Sequence, residues 1–238
     1  MFKTFATAAL AACTVTVAQA DLIISEIVDA TLPGGLPKYV EITNTGSSPV
    51  DLSNFSLANF SNGSSTSGFG STALSGTLAA GDSYVASYEG GDSAGTGQFF
   101  DTYGFDPDDF SFGSFFNGDD VLILFDDTGY PGGGAAVDLA DIVDVFGVLG
   151  TDGTGEPWEY TDGYAFRNPN VLSGSSTFSL SEWTFSGPNG LETGDDVTEL
   201  ALILAETTPG THNFIPEPAS LALLAGGLVV AGLRRRSA

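Results

Sequence analysis

The sequence predicts an all-β domain rich in turns, and three observations carry that prediction. Glycine is abundant, with 32 among 238 residues. Val, Ile, Phe, Tyr and Thr are well represented while the helix formers Lys, Gln and Met are scarce, a balance that favours pleated, half-buried segments. Short apolar runs recur between clusters of Gly, Pro, Asn, Asp and Ser, as strands do between turns.

Taken in order, Met1 to Ala20 reads as a secretory signal peptide: Lys3, an alanine-rich apolar run, then Ala18-Gln19-Ala20 with small residues at both positions that signal peptidase reads. Cleavage after Ala20 leaves Asp21 first and removes Cys13, the only cysteine. The exported part then has no disulfide, thiolate metal site or cysteine nucleophile.

Leu22 to Val28 and Lys38 to Thr43 read as strands around a Pro- and Gly-rich turn at Thr31 to Pro37. In the second, Tyr39, Glu41 and Thr43 share one face and Val40 and Ile42 the other. Asn44 to Ser47 breaks the chain, and Val50 to Leu57 resumes with Val50, Leu52 and Leu57 as core contributors. Gly76 to Tyr88 is strand-forming, with Leu78, Tyr84 and Val85 available for burial. Two segments are ambiguous. Asp138, Asp141 and Asp144 have a helical spacing, but their β-branched neighbours favour a strand. Asp196-Val-Thr-Glu199 has the form of a capping box opening a helix through Leu204, yet Leu200 to Leu204 equally suits a buried strand.

Ser25-Glu26, Tyr39-Val40-Glu41-Ile42 with Asn44, and Val50-Asp51-Leu52-Ser53 with Phe55-Ser56-Leu57 resemble the opening of a lamin-tail domain. Later segments fit its bacterial versions: Asn117-Gly118-Asp119-Asp120 before Val121 to Phe125, then Asp126 to Gly129, Ile142 to Gly147, Tyr164 to Arg167, Trp183, and the closing Thr208 to Asn213. The resemblance implies an immunoglobulin-like β-sandwich over residues 21–214. One departure stands out. Asn59 to Asn117 is longer than a compact form needs and dense in aromatics, namely Phe99, Phe100, Tyr103, Phe105, Phe110, Phe112, Phe115 and Phe116. It reads as a long loop over one end of the sandwich, its rings forming either a satellite core or a sugar-stacking platform.

Residues 215–238 end the chain with Pro216-Glu217-Pro218, an uncharged run from Ala219 to Leu233, and Arg234, Arg235 and Arg236. Arginine in hydrocarbon costs roughly 2.5 to 3.5 kcal/mol on insertion scales, so the run is expected to halt as a transmembrane helix with the arginines cytoplasmic. Its fifteen residues are short against the roughly 17 to 25 of a spanning helix. The tail resembles the PEP-CTERM sorting signal of Gram-negative bacteria. That resemblance implies inner-membrane anchoring, processing by an exosortase, and a destination at the cell surface or in the extracellular matrix.

Charge and motifs restrict the chemistry. Three of six basic residues lie in the tail and one in the signal peptide, which leaves Lys38 and Arg167 against 30 acidic residues. Such a surface repels phosphate and anionic lipid, which argues against a nucleic-acid partner. The only histidine, His212, lies in the closing turn, and there is no Gly-x-Ser-x-Gly, His-Glu-x-x-His or Gly-Lys-Ser/Thr motif. Arg167 is expected to pair with a carboxylate and Trp183 to fill the core. The carboxylates offer calcium ligands at Asp119, Asp120, Asp126 and Asp127, with Asp106, Asp108, Asp109, Asp152 and Glu156 on other loops. The expectation is a non-catalytic exported surface or matrix protein without a bound cofactor, its partners signal peptidase, an exosortase, and exopolysaccharide or surface proteins of a biofilm. The alternatives are a carboxylate-dependent polysaccharide-acting enzyme and a calcium-stabilised structural protein.

Overall fold

In a computed structural model, residues 21–67, 71–88, 93–112, 116–126, 129–130 and 133–215 are described. The signal peptide and the transmembrane tail expected from the sequence lie outside them. Among the described residues no helix is long and apolar enough to cross a membrane. The strands are β1 (Leu22–Leu32), β2 (Leu36–Asn44), β3 (Val50–Asp51), β4 (Ser56–Phe60), β5 (Ser71–Ala73), β6 (Thr77–Leu78), β7 (Ser83–Tyr88), β8 (Val121–Phe125), β9 (Ile142–Phe146), β10 (Tyr164–Arg167) and β11 (Trp183–Phe185). Two helices accompany them, α1 (Gln98–Tyr103) and α2 (Asp196–Glu206).

A five-stranded sheet, ordered β11-β10-β1-β2-β7, faces a four-stranded sheet, β5-β4-β8-β9, and β3 pairs with β6 alongside. Every named pairing is antiparallel. The first hairpin is tighter than expected. Leu32 pairs with Leu36, so the strands run on to a three-residue turn, Pro33-Gly34-Gly35, in which both glycines have positive φ.

Between the sheets lies the main core. Ile24, Ile27, Val40, Ile42 and Ala165 from one sheet meet Leu57, Leu122, Leu124 and Phe146 from the other. Trp183 fills this core as expected, edge-on to Phe146 with ring centroids 4.8 Å apart. Five-stranded sheets with one wet face alternate apolar and polar side chains, but β1 and β2 are buried almost throughout. The reason is a second layer: Val28, Leu32, Tyr39 and Val85 on the outer face pack against Phe99 of α1 and Leu191 and Ile203 of the α2 region.

This layer corrects the reading of Asn59 to Asn117 as a loop over one end. Its aromatics divide between two cores, Phe112 and Phe116 joining the main one and Phe99 and Tyr103 the outer one, while Phe105 is 42% exposed. Phe115 lies outside the described residues. The two ambiguous segments also separate. Ile142–Phe146 is a strand, and Asp196–Glu206 is a helix whose N-cap is Asp195, one residue before the residue that opened the expected box. Asp195 accepts from Thr198 N at 3.1 Å. Glu199, shifted off the box register, accepts instead from Thr193 N and Gly194 N and from the Thr31 hydroxyl of β1. The helix start is thereby tied to the sheet.

Candidate functional site

A β-bulge in β1 determines what lies on the outer face. Ile24 pairs with Ile42 and Glu26 with Glu41, so Ser25 is an extra residue on β1. Were Ser25 paired as a regular strand residue, Glu26 would fall on the same face as Ile24 and enter the main core, because side chains alternate with period two. With it, Glu26 sits directly opposite Glu41 on the outer face, and Ile27 returns to the core.

Both carboxylates are buried, at 1% and 0% exposure. Glu26 accepts from the Tyr39 hydroxyl at 2.7 Å, and Glu41 from the Ser25 hydroxyl at 2.6 Å, itself bonded by Thr43. Further donors to Glu41 come from Thr43 of β2 and Ser83 of β7, and both acids accept from the last described segment, Thr207 to Ile215, which leaves α2 and crosses this face as a strap. Thr208 N donates to Glu26 at 3.0 Å and Gly210 N to Glu41 at 2.7 Å. The Thr207 hydroxyl meets the Tyr103 hydroxyl at 2.8 Å. At the far end Ile215 N donates to Pro169 O at 2.7 Å. Gly210 has φ +83°, a conformation that any other L-residue adopts only under strain.

Burial, with the Glu41 charge opposite, pushes Glu26 up to about 8, against the pull of the Tyr39 and Thr208 donors. Burial likewise pushes Glu41 up to about 7, against the Ser25 hydroxyl and Gly210 N–H. Two acids this close titrate as a pair, so near neutrality they share protons between them. A raised carboxylate is what a general acid needs, but this pair is sealed beneath its strap and offers a substrate no approach. His212, in the same strap, is held neutral: burial and the nearby Arg167 lower it to about 4. It stacks against Phe214, and its Nε2 is buried without a hydrogen-bond partner.

Of the calcium ligands expected at Asp119, Asp120, Asp126 and Asp127, the three that are described are not brought together. Asp119 and Asp120 precede β8 while Asp126 follows it, so the length of a strand separates them. Asp120 is consumed by the fold, accepting from Asn62 N, Asn117 N and the Asn59 amide, and Asp119 accepts from the Thr154 hydroxyl. Asp127 lies outside the described residues. Among those described, no group of three or more His, Cys, Asp or Glu is placed to hold a metal ion. The fixed turn of Asn117 to Asp120 depends on Gly118, where a Cβ would stand 2.0 Å from Thr161 N.

Both basic residues of the described chain are inside. Arg167 lies between Asp144 and Glu182, donates to Ile24 O, and stacks on Trp183 with its guanidinium 4.2 Å from the ring centre. Lys38 pairs with Asp29, whose other oxygen accepts from Gly118 N and Asp162 N. Of the processing residues, Asp21 is described. Its carbonyl accepts from Thr45 N and from the Thr45 hydroxyl, so the chain is fixed one residue after the expected signal cleavage. Ala18, Ala20, Pro216, Glu217, Pro218, Arg234, Arg235 and Arg236 lie outside the described residues.

The bulge and the carboxylate pair escaped sequence reasoning. The available signal was that Glu41 falls on the face opposite Val40 and Ile42, in a strand otherwise suited to burial.

Comparison with known proteins agrees with this architecture. Residues 214–236 match the PEP-CTERM protein-sorting motif, which implies exosortase-dependent surface sorting, with export and membrane anchoring. No curated protein and no solved structure matches the chain. Residues 16–141 match the Lamin Tail Domain, a match that ends just before β9 although β9, β10 and β11 complete both sheets. Spanning more than half of the sequence, that match shows that the chain belongs to the lamin tail domain family.

Proposed function

We propose that this is a non-catalytic protein of the bacterial surface or extracellular matrix. Signal peptidase removes residues 1–20. The run from Ala219 to Leu233 and the arginines after it hold the chain in the inner membrane, and an exosortase acts near Pro216-Glu217-Pro218. The freed sandwich then associates with exopolysaccharide or surface proteins of a biofilm through its loops. The observation that carries this reading is the order of parts: a lamin tail domain match over residues 16–141 precedes a sorting motif that begins at residue 214, within the strap.

The charge arrangement narrows the partner. With Lys38 and Arg167 both buried, the described surface presents carboxylates and no cationic side chain. An acidic polysaccharide would be repelled unless dissolved divalent cations bridge the two, whereas a neutral glycan meets no such barrier. Replacing Glu217 tests the sorting step. In the native host, Glu217→Ala is expected to stay in the inner membrane with the mass of the uncleaved chain. Unchanged fractionation and unchanged mass would overturn the reading.

A further inference from the structure

We infer that the Thr207 to Ile215 strap is a latch: its docking on Glu26 and Glu41 withholds the sorting motif from processing, and its release exposes it. This inference rests on the sorting role proposed above. A protease that cleaves near Pro216 must accept several residues on the amino-terminal side of the cut as extended chain. Those residues are the strap, and Thr208, Gly210 and Ile215 have their backbone N–H groups bonded to the domain. They cannot enter an active-site cleft and remain so bonded.

The latch is placed on the one kind of support that weakens reversibly. Two acids face each other under it, and the one described cation near the strap, Arg167, acts on His212 and is held by Asp144 and Glu182. The groups around them are the Ser25 hydroxyl of β1, the Tyr39 and Thr43 hydroxyls of β2, Ser83 of β7, Tyr103 of α1, Tyr164 of β10, and from the strap itself hydroxyls, backbone N–H groups and the neutral His212. When the strap lifts, water reaches both carboxylates and they ionise more easily. The closed form therefore binds more protons than the open one. Closure is complete below the ordinary glutamate range and is lost as pH rises through about 7 to 8.

Two measurements on the full chain test this. In detergent, the exchange protection of the Thr208 and Gly210 amides, corrected for intrinsic rates, should fall at least tenfold between pH 6 and pH 9, and the Glu26→Gln/Glu41→Gln variant should show little of that fall. A pH dependence that survives both replacements overturns the carboxylate support. In cells, pulse-labelled Thr208→Pro, which lacks the N–H given to Glu26, and Gly210→Ala, strained at its positive φ, should be processed several-fold faster than the parent. A Gln pair that folds and keeps the strap closed should be processed more slowly. If Glu217→Ala blocks processing while strap variants with normal circular dichroism leave its rate unchanged, the sorting role stands and the latch falls. If Glu217→Ala is processed normally, the sorting role itself fails.

Discussion

At the seam between the sheets Asp144 is buried beside Arg167, and on the outer face of the five-stranded sheet Glu26 is buried beside Glu41. Asp144 has a guanidinium and the N–H groups of Ile24 and Ser175 around it. The glutamates have hydroxyls and the N–H groups of a strap. Burying a charge is unfavourable unless it is paired, and the two places meet that requirement differently: a cation in the first, shared protons in the second. The first has a cation of its own, although burial still raises the Asp144 carboxyl above its ordinary range. The second holds only while protons are available, which is why mobility is expected at the strap and not at the seam.

The comparison can be broken most severely at the seam. Arg167→Met should leave Asp144 buried without its cation and destabilise the domain by about 3 to 5 kcal/mol, read from urea unfolding followed by circular dichroism. A smaller loss would mean that Asp144 finds water or a proton. On the outer face the test is pH. The folded chain holds protons on Glu26 and Glu41 that the unfolded chain has released, so this pair's stability is present below about pH 4.5 and disappears as pH climbs through 7 to 8. Melting temperatures of the parent and of Glu26→Gln/Glu41→Gln should therefore diverge between pH 5 and pH 9, the parent falling faster. Tyr39→Phe removes one donor from Glu26 and should cost about 1 to 3 kcal/mol, the penalty growing as pH passes about 8 and the acid ionises. The mildest change is Asp195→Ala. Loss of the α2 cap should reduce stability by about 1 kcal/mol, read from the same urea unfolding.

Much of the main core was legible in the sequence because it obeys local rules. Val40 and Ile42 against Tyr39, Glu41 and Thr43 is a period-two pattern, and Val121 to Phe125 is an uninterrupted apolar run between turn residues, the signature of a strand buried on both faces. Arg167 and Trp183 were foreseeable in so acidic a chain, where a strand arginine must find a carboxylate. The outer layer was not legible. A single inserted residue, Ser25, inverts the facing of everything before it, and no local pattern distinguishes that bulge from a regular strand. The short apolar stretch Leu200 to Leu204 is compatible with helix or strand until the cap at Asp195 and the anchoring of Glu199 to Thr31 decide it. Nor does the aromatic density between Phe99 and Phe116 reveal which core each ring enters, because that depends on where α1 lands.

The interior placement of both cations has a consequence on the scale of many molecules. A domain whose exterior bears only negative charge carries a cloud of counter-ions, and a layer crowded with such domains draws in water to dilute them. Osmotic swelling of that layer would be strong in fresh water and would collapse as salt shortens the screening length from about 30 Å at 0.01 M to about 10 Å at 0.1 M. The large excess of acids, with Arg167 and Lys38 turned inward, gives the molecule the character of a polyelectrolyte.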